Sequence, residues 1–194
     1  MQGGGAGVAD RKAAADVRLV PGGSVAVSLV SGDADWTGIG TVTEVAGGRV
    51  LAFGHGMFGA GDLDMPMGPA MIHTVVPSRW TSFKLGAPLR LTGSLTRDEY
   101  VGVAGRLGRA APRIPMSVRV RFRPDRRRRT FRYRLCHNDD VTPALPYSLV
   151  AASVYDLREM PTEHTVRYAL NVEYGDLGRY RASNVSCGWG LMDA

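Results

Sequence analysis

One histidine in a glycine-rich stretch has the setting that acid–base or metal chemistry requires. His55 lies between two glycines in RVLAFGHGMFGAG, which covers Arg49 to Gly61. The apolar run before it predicts a buried strand, while the glycines permit tight turns or the close approach of another backbone. We therefore expect His55 at the end of a strand. There an imidazole can serve as a general base, a metal ligand or a hydrogen-bonded structural group.

The same stretch contains GHGMFG (54–59), which formally matches the G-x-G-x-x-G pattern of dinucleotide-binding loops. That function requires a helix that begins at the loop and an acidic residue about 20 positions later. The following segment, DLDMPMGPAM (62–71), is too rich in proline and glycine for a helix, and the residues around position 75 are histidine, threonine and valine. The match is therefore interpreted as accidental, and no cofactor is expected.

A metal site would need further ligands close to His55. No HxH, HExxH or Cys/His cluster places two ligands on one element of this chain,. The residues that could join His55 are His73, Asp62 and Asp64, and such scattered histidines and aspartates are common by chance. We therefore expect no metal, and we expect His137 and His164 to be surface or loop groups.

The elements around His55 are predicted to be short strands joined by glycine turns. The runs SVAVSLV (24–30), TGIGTVTEV (37–45) and RVLAF (49–53) are apolar and β-branched, and Gly47 with Gly48 predicts a hairpin between the last two,. His55 would then lie on the rim of a sheet. Further strands are predicted at 72–76, in TSFKLG, RLTGSLT and YVGVAGRLG, and at 165–174.

One predicted hairpin carries much of the positive charge. IPMSVRVRF (114–122) alternates apolar and polar residues, and PDRRRR links it to a partner strand at 130–135,. Arginines interleaved with Phe122, Phe131 and Tyr133 could contact phosphates and stack on bases. The alternation, however, places the aromatic residues inward or across the strands and leaves the arginine run in a solvated turn. Nucleic acid is therefore not expected as a partner.

The whole chain is predicted to be one β-rich domain. Residues 143–158 (PALPYSLVAASVYDLR) give the best helix prediction, and many short strands with one or two short helices indicate a mainly β, barrel-like fold,. With 194 residues, 44% of them apolar, the chain can bury one core,. We predict a single domain at 19–194, preceded by a glycine- and alanine-rich linker or fragment end at 1–18.

Composition narrows the class of protein only slightly. No apolar run approaches the length needed to cross a bilayer, and the N-terminal residues lack the features of a secretory signal. The net charge of +6 favours anionic partners, although Lys12 and Lys84 are the only lysines among the cationic residues,. Cys136 and Cys187 form no CxxC pair, and a disulfide is not indicated,.

Several segments taken together resemble the SpoIVB-type serine peptidase family. They occur in the same order and with similar spacing, from about 21 to 142: PGGSVAVSLVSGD, TGIGTVTEVAGGRVLAFGHGMFGAG, HTVVPS, SFKLGAP, GSLTRDEYVGVAGRLG and PRIPMSVRV. The resemblance implies a chymotrypsin-like β-barrel architecture and catalysis by serine, histidine and aspartate. It also implies a protein or peptide substrate and a bacterial exported or cell-envelope setting.

The resemblance assigns two site residues. His55 matches the family's catalytic histidine in its F-G-H setting. The family's acid follows the last barrel strands, where this chain has CHNDDV, so Asp139 is the closer match and Asp140 the second choice. Asp98, in the TRD motif, is a rival whose strand-end context is better explained by a structural role.

The family's nucleophile motif, G-M-S-G-S-P, does not occur in this sequence. Ser148 and Ser153 follow Asp139 but lack the flanking glycines of an oxyanion-forming turn, and we expect them on a helix face. In long multidomain relatives the motif can precede this region, so another segment of the same protein could supply the serine. We therefore predict the histidine-bearing part of a serine endopeptidase that is inactive as an isolated chain. The alternative is a non-catalytic scaffold that binds peptides as added strands.

Overall fold

A computed structural model of the protein describes residues 16–80, 82–121, 123, 127–155, 163–173 and 175–188. Within these ranges the chain is mainly β, as predicted. It divides into two compact units, Met1–Pro146 and Tyr147–Ala194, which are described separately. Most of the predicted linker at 1–18 lies outside the described residues.

The described part of the first unit contains nine strands. They are β1 (Ser24–Gly32), β2 (Trp36–Ala46), β3 (Arg49–Ala52), β4 (Gly61–Val76), β5 (Phe83–Pro88), β6 (Gly93–Glu99), β7 (Gly102–Leu107), β8 (Arg113–Arg121) and β9 (Arg128–Cys136). The order β4-β6-β7-β3-β2-β1 is antiparallel, and β1 pairs back with β4. The predicted barrel is therefore confirmed as a closed six-stranded barrel, in which these strands have no open edge.

The barrel interior follows from the register. Residues directly opposite in an antiparallel pair lie on the same face, and Val25 and Val27 of β1 oppose Gly40 and Gly38 of β2. On the other side of β1, Val27 opposes Met67 of β4. This face is filled by buried apolar side chains: Val25, Val27, Val42, Val50, Ala52, Met65, Met67, Leu95 and Val103.

The hairpin that precedes His55 is confirmed. Gly47 and Gly48 have φ values of 54° and 75°, the left-handed conformation that a tight two-residue hairpin requires,. They join β2 to β3, whose last residue, Ala52, pairs with Val42. His55 therefore follows the end of β3, on the barrel rim, as predicted.

The segment 62–71 differs from expectation. It is not helical, as predicted, but it belongs to β4, a strand of 16 residues that runs through Pro66, Gly68 and Pro69. Gly68 is required there because a β-carbon would overlap the carbonyl oxygen of Arg90. The proline and glycine residues that appear to break the strand fit the crowded point where β4 passes between β1 and β6.

β8 and β9 extend the sheet beyond the barrel. Val30, Ser31 and Gly32 of β1 pair with β9, after Val25–Val27 have paired with β4. β9 pairs in turn with β8, the last strand in the order. The predicted hairpin at 114–135 is thus confirmed, although Phe122 lies outside the described residues.

The described C-terminal residues form one α-helix, two short 3-10 segments and one hairpin. A 3-10 turn, Thr142–Ala144, leads into α1 (Leu145–Tyr155), which agrees with the helix predicted at 143–158 as far as the structure describes it. β10 (Thr165–Glu173), predicted at 165–174, pairs with β11 (Arg179–Cys187), which was not predicted. None of the helical segments in the described ranges has the length and apolar character needed to cross a bilayer.

Candidate functional site

The residues between β3 and β4 form a loop at one end of the barrel, which we call the histidine loop (53–60). The N–H of Phe53 donates to the carbonyl of Thr41 at 2.9 Å, which extends the β2–β3 pairing by one residue. Phe53 and Gly54 then take φ values of 73° and 76°. Such angles are costly for a bulky residue such as Phe53, so the surrounding contacts must hold the turn in place.

Two side chains of the histidine loop pack against glycines of β2. A β-carbon on Gly40 would lie 2.6 Å from the Phe53 ring, and one on Gly38 would overlap the terminal methyl of Met57. Gly38 and Gly40 face the barrel interior, so Phe53 and Met57 cover the interior at this end. Glycine is needed at position 40, where a β-carbon would meet the Phe53 ring, whereas at position 38 it would meet only the flexible end of Met57.

Asp98 anchors the rest of the loop. Its carboxylate accepts backbone N–H bonds from Met57 at 2.7 Å, Phe58 at 2.6 Å and Gly59 at 2.9 Å. The Asp98 side chain comes from the end of β6 and is only 1% exposed. Three donors satisfy this buried carboxylate, and a buried charge without such partners would be expensive.

The turn between β6 and β7 supports the same loop. The N–H of Gly56 donates to the carbonyl of Tyr100 at 3.1 Å. A β-carbon on Gly56 would lie 2.9 Å from the carbonyl oxygen of Glu99, so only glycine allows this approach. The residues on both sides of His55 are therefore held by the backbone or by a buried carboxylate.

His55 itself is exposed. Its Nδ1 lies 2.7 Å from the carbonyl oxygen of Gly56. Because a carbonyl can only accept, Nδ1 carries the proton, and in the neutral ring Nε2 keeps its lone pair. The ring also meets the Phe53 ring edge-on, with 5.8 Å between centroids and an interplanar angle of 89°. The tautomer that this bond favours is the one that a general base uses.

Three apolar side chains near this rim are exposed. Phe58 of the histidine loop is 44% exposed, and Tyr100 and Val101 of the β6–β7 turn are 92% and 79% exposed. These exposed apolar side chains are carried by the histidine loop and by the turn that supports it, so they are available for contact with another molecule,.

The structure does not join Asp139 to His55 by a hydrogen bond or ion pair within the described ranges. Asp139 and Asp140 are exposed in the turn after β9. Asn138 organises that turn by accepting N–H bonds from Asp140 at 3.1 Å and Val141 at 2.9 Å. Both carboxylates are presented to solvent by this turn.

The serines that the structure describes do not provide a nucleophile for His55. Ser94 is fully buried in β6 and donates to Asp64. Ser153, one of the two considered from the sequence, lies in α1 and donates to the carbonyl of Leu149 at 2.6 Å, as expected of a helix-face serine. Among the described residues, His55 has no hydrogen bond to a hydroxyl or thiol group, and no three histidine, cysteine or acidic side chains gather as a metal site requires.

The carboxylate of Asp64 is part of a separate polar cluster with Ser94 and Arg109. Burial alone would raise the pKa of Asp64, but hydrogen bonds from Arg109 and Ser94 and the charge of Arg109 outweigh it and lower that pKa below its usual range. The guanidinium of Arg109 lies 2.7 Å from the carboxylate. This cluster stabilises an ionised aspartate on the barrel and leaves no free base beside Ser94.

The fold and the site define a β-barrel domain that presents one exposed imidazole on a loop anchored by Asp98. No protein-family model, no curated protein and no solved structure matches the chain. The geometry of the histidine loop and the sequence motifs therefore carry the functional argument.

Sequence reasoning located His55 and assigned a structural role to Asp98, but it did not identify what Asp98 binds or that β2 packs against the loop. Gly38 and Gly40 alternate on one face of a strand, a pattern that often marks the close approach of another segment. That pattern was available in TGIGTV, although it does not say which segment approaches. The three N–H bonds to Asp98 link residues 39 to 41 positions apart, a distance at which spacing in the sequence gives no guidance.

Proposed function

We propose that this chain is the histidine-bearing barrel of a SpoIVB-type serine endopeptidase. In this enzyme His55 acts as general base toward a serine that another segment of the same protein supplies. The observation that carries the proposal is the bond from Nδ1 of His55 to the Gly56 carbonyl at 2.7 Å. It leaves Nε2 as an acceptor on an exposed rim. The order of the family-like motifs supports the same assignment.

In this mechanism Nε2 takes the proton from the serine hydroxyl as the serine oxygen attacks the scissile carbonyl. It later returns that proton to the leaving amine. A third group must hold Nδ1 protonated and the ring oriented. The Gly56 carbonyl does so here, while the Asp98 carboxylate fixes the loop that carries both residues. Asp98 is thus a positioning residue.

The apolar rim gives the proposed enzyme a place for substrate. Phe58, Tyr100 and Val101 would contact a peptide chain that brings its carbonyl to Nε2. Exposed aromatic groups provide large contact area at low entropic cost, which favours peptide binding.

The test compares the 194-residue chain with the longest protein that its gene encodes, using a fluorophosphonate probe that labels activated serines. The isolated chain should not be labelled, since it lacks the serine motif. The longer protein should be labelled, and His55→Ala should slow labelling about 10²- to 10⁴-fold, the range for loss of a general base. His73→Ala, an exposed histidine on β4, is the matched control and should label at the normal rate.

Unchanged labelling after His55→Ala would contradict the proposal, as would a longer protein without any labelled serine. The variants Asp139→Asn and Asp140→Asn test whether the Gly56 carbonyl or one of these carboxylates orients the His55 ring. If the Gly56 carbonyl holds Nδ1, both variants keep the normal labelling rate. Loss in Asp139→Asn alone would show that the acid carried over from the resemblance takes that role in the working enzyme.

A further inference from the structure

The register of the β8–β9 hairpin places six arginines on one face. Directly opposite residues share a face, and Arg121 opposes Arg128, Ser117 opposes Arg132, and Pro115 opposes Arg134. All six guanidinium-bearing residues are exposed. We call them the arginine face: Arg113, Arg119, Arg121, Arg128, Arg132 and Arg134. The sequence alone suggested that the charge would be concentrated in the turn; the strands themselves carry it.

The arginine face has no acidic partner among the described residues. Ion pairs form elsewhere, between Arg97 and Asp62 and between Arg109 and Asp64. The carboxylate of Asp33 does reach β9, but it accepts the backbone N–H of Arg132 at 2.7 Å. Arg121 lies directly opposite Arg128, and because like charges in that position are unfavourable, an anionic partner beside this face would relieve the repulsion.

The outer edge of β8 offers backbone hydrogen bonds. β8 is the last strand in the sheet, with β9 as its neighbour. Pro115 has no N–H, so its nitrogen must face away from β9. Because N–H directions alternate along a strand, the N–H groups of Ser117, Arg119 and Arg121 also face the outer edge.

The opposite face of β8 is apolar and partly open. Met116, Val118 and Val120 are half-buried, and Ile114 is 38% exposed. A strand added beside β8 would therefore meet arginines on one face and aliphatic side chains on the other, at alternate positions.

These observations favour a polypeptide over a nucleic acid. A base-stacking site needs exposed aromatic rings, but Phe131 and Tyr133 lie on the other face and are each 4% exposed. A peptide backbone, by contrast, can satisfy the N–H and C=O groups along the edge.

We propose that β8 binds an extended acidic peptide segment as an added strand, with aspartate or glutamate at every second position and apolar residues between. The carboxylates lie beside Arg113, Arg119 and Arg121, and the apolar residues extend the other face. This inference is independent of any catalytic role of His55.

The probes are synthetic peptides of the length of β8, tested by fluorescence anisotropy at physiological ionic strength. One alternates glutamate with valine; a second has the same composition with all glutamates grouped at one end. The alternating peptide should bind more tightly, because only its pattern matches the two faces. N-methylation of the backbone amides on its β8-facing side should abolish binding.

Two double variants each remove two arginine charges, one pair on β8 and the other pair on β3 and β7. Arg119→Gln with Arg121→Gln on β8 should weaken binding about fivefold, the loss expected from two cross-strand charge pairs. Arg49→Gln with Arg106→Gln, an opposed arginine pair on β3 and β7, should leave binding unchanged. All four side chains are exposed, and circular dichroism with thermal unfolding checks that each variant folds.

Equal affinity for the two peptides, or equal affinity for an oligonucleotide of the same charge, would overturn the proposal by showing unspecific attraction of anions. Absence of binding would also overturn it. In that case the arginines and Pro115 serve to keep other strands from pairing with an exposed edge.

Discussion

At the scale of single residues, the site depends on one buried carboxylate. The carboxylate of Asp98 accepts the hydrogen bonds of the backbone amides of Met57, Phe58 and Gly59. A loop made largely of glycine and apolar residues is flexible by composition. The three hydrogen bonds to Asp98 hold this loop, and therefore the backbone of His55, in one conformation.

Asp98→Asn should weaken the hydrogen bonds that hold the histidine loop. The amide group of asparagine presents donors toward backbone donors, so the variant should lose about 1–3 kcal/mol of unfolding free energy. Urea unfolding measures the loss, and the amides of the histidine loop should exchange hydrogen faster. Asp62→Asn is the control, because the Asp62 side chain is 83% exposed and pairs only at the surface. Equal stability of the two variants would argue against the anchoring role.

At the scale of elements, β2 and the histidine loop fit together through two glycines whose environments differ. Gly40 lies under an aromatic ring, whereas Gly38 lies under the flexible end of Met57. A ring that is held by its own backbone cannot yield as a thioether chain can.

Gly40→Ala should therefore destabilise the protein by about 1–3 kcal/mol through overpacking. Gly38→Ala should be nearly neutral, since the entropic gain of about 0.4–1 kcal/mol from replacing glycine offsets a small shift of Met57. Chemical denaturation of both variants provides the comparison. Equal losses would mean that Phe53 is not the rigid member of this contact.

The elements show what the sequence could and could not predict. Alternation in β1, β2 and β8 and the Gly47–Gly48 turn are local patterns, and these predictions are confirmed. β4 was missed in part because Pro66, Gly68 and Pro69 normally indicate a break, although here they fit a crowded crossing of strands. The Asp98 anchor and barrel closure between β1 and β4 depend on contacts between distant residues, which spacing does not encode.

At the scale of the whole molecule, the two units each carry one free cysteine. Cys136, in the first unit, is buried, and that burial raises the pKa of its thiol despite a contact with Thr142. Cys187, in the second, is exposed. No disulfide joins them, so each thiol reports on its own unit.

Iodoacetamide should modify Cys187 in the native protein and leave Cys136 intact, because the thiolate is the reactive form and Cys136 is only 1% exposed,. Mass spectrometry across a urea series then follows the opening of the first unit through Cys136. Cys187→Ser leaves that single reporter. Rapid alkylation of Cys136 without denaturant would show that the end of β9 opens far more readily than the barrel interior.

The way β1 divides one edge between two partners has a consequence for how this fold can vary. Val25–Val27 pair with β4 inside the barrel, and Val30–Gly32 pair with β9 outside it, so Ser28 and Leu29 form a joint. Since side-chain direction reverses at every residue of a strand, one inserted residue at this joint would leave the barrel register intact and turn the outer hairpin over. A protein with such an insertion would keep the histidine rim, and it would present an aliphatic surface where this protein presents arginines.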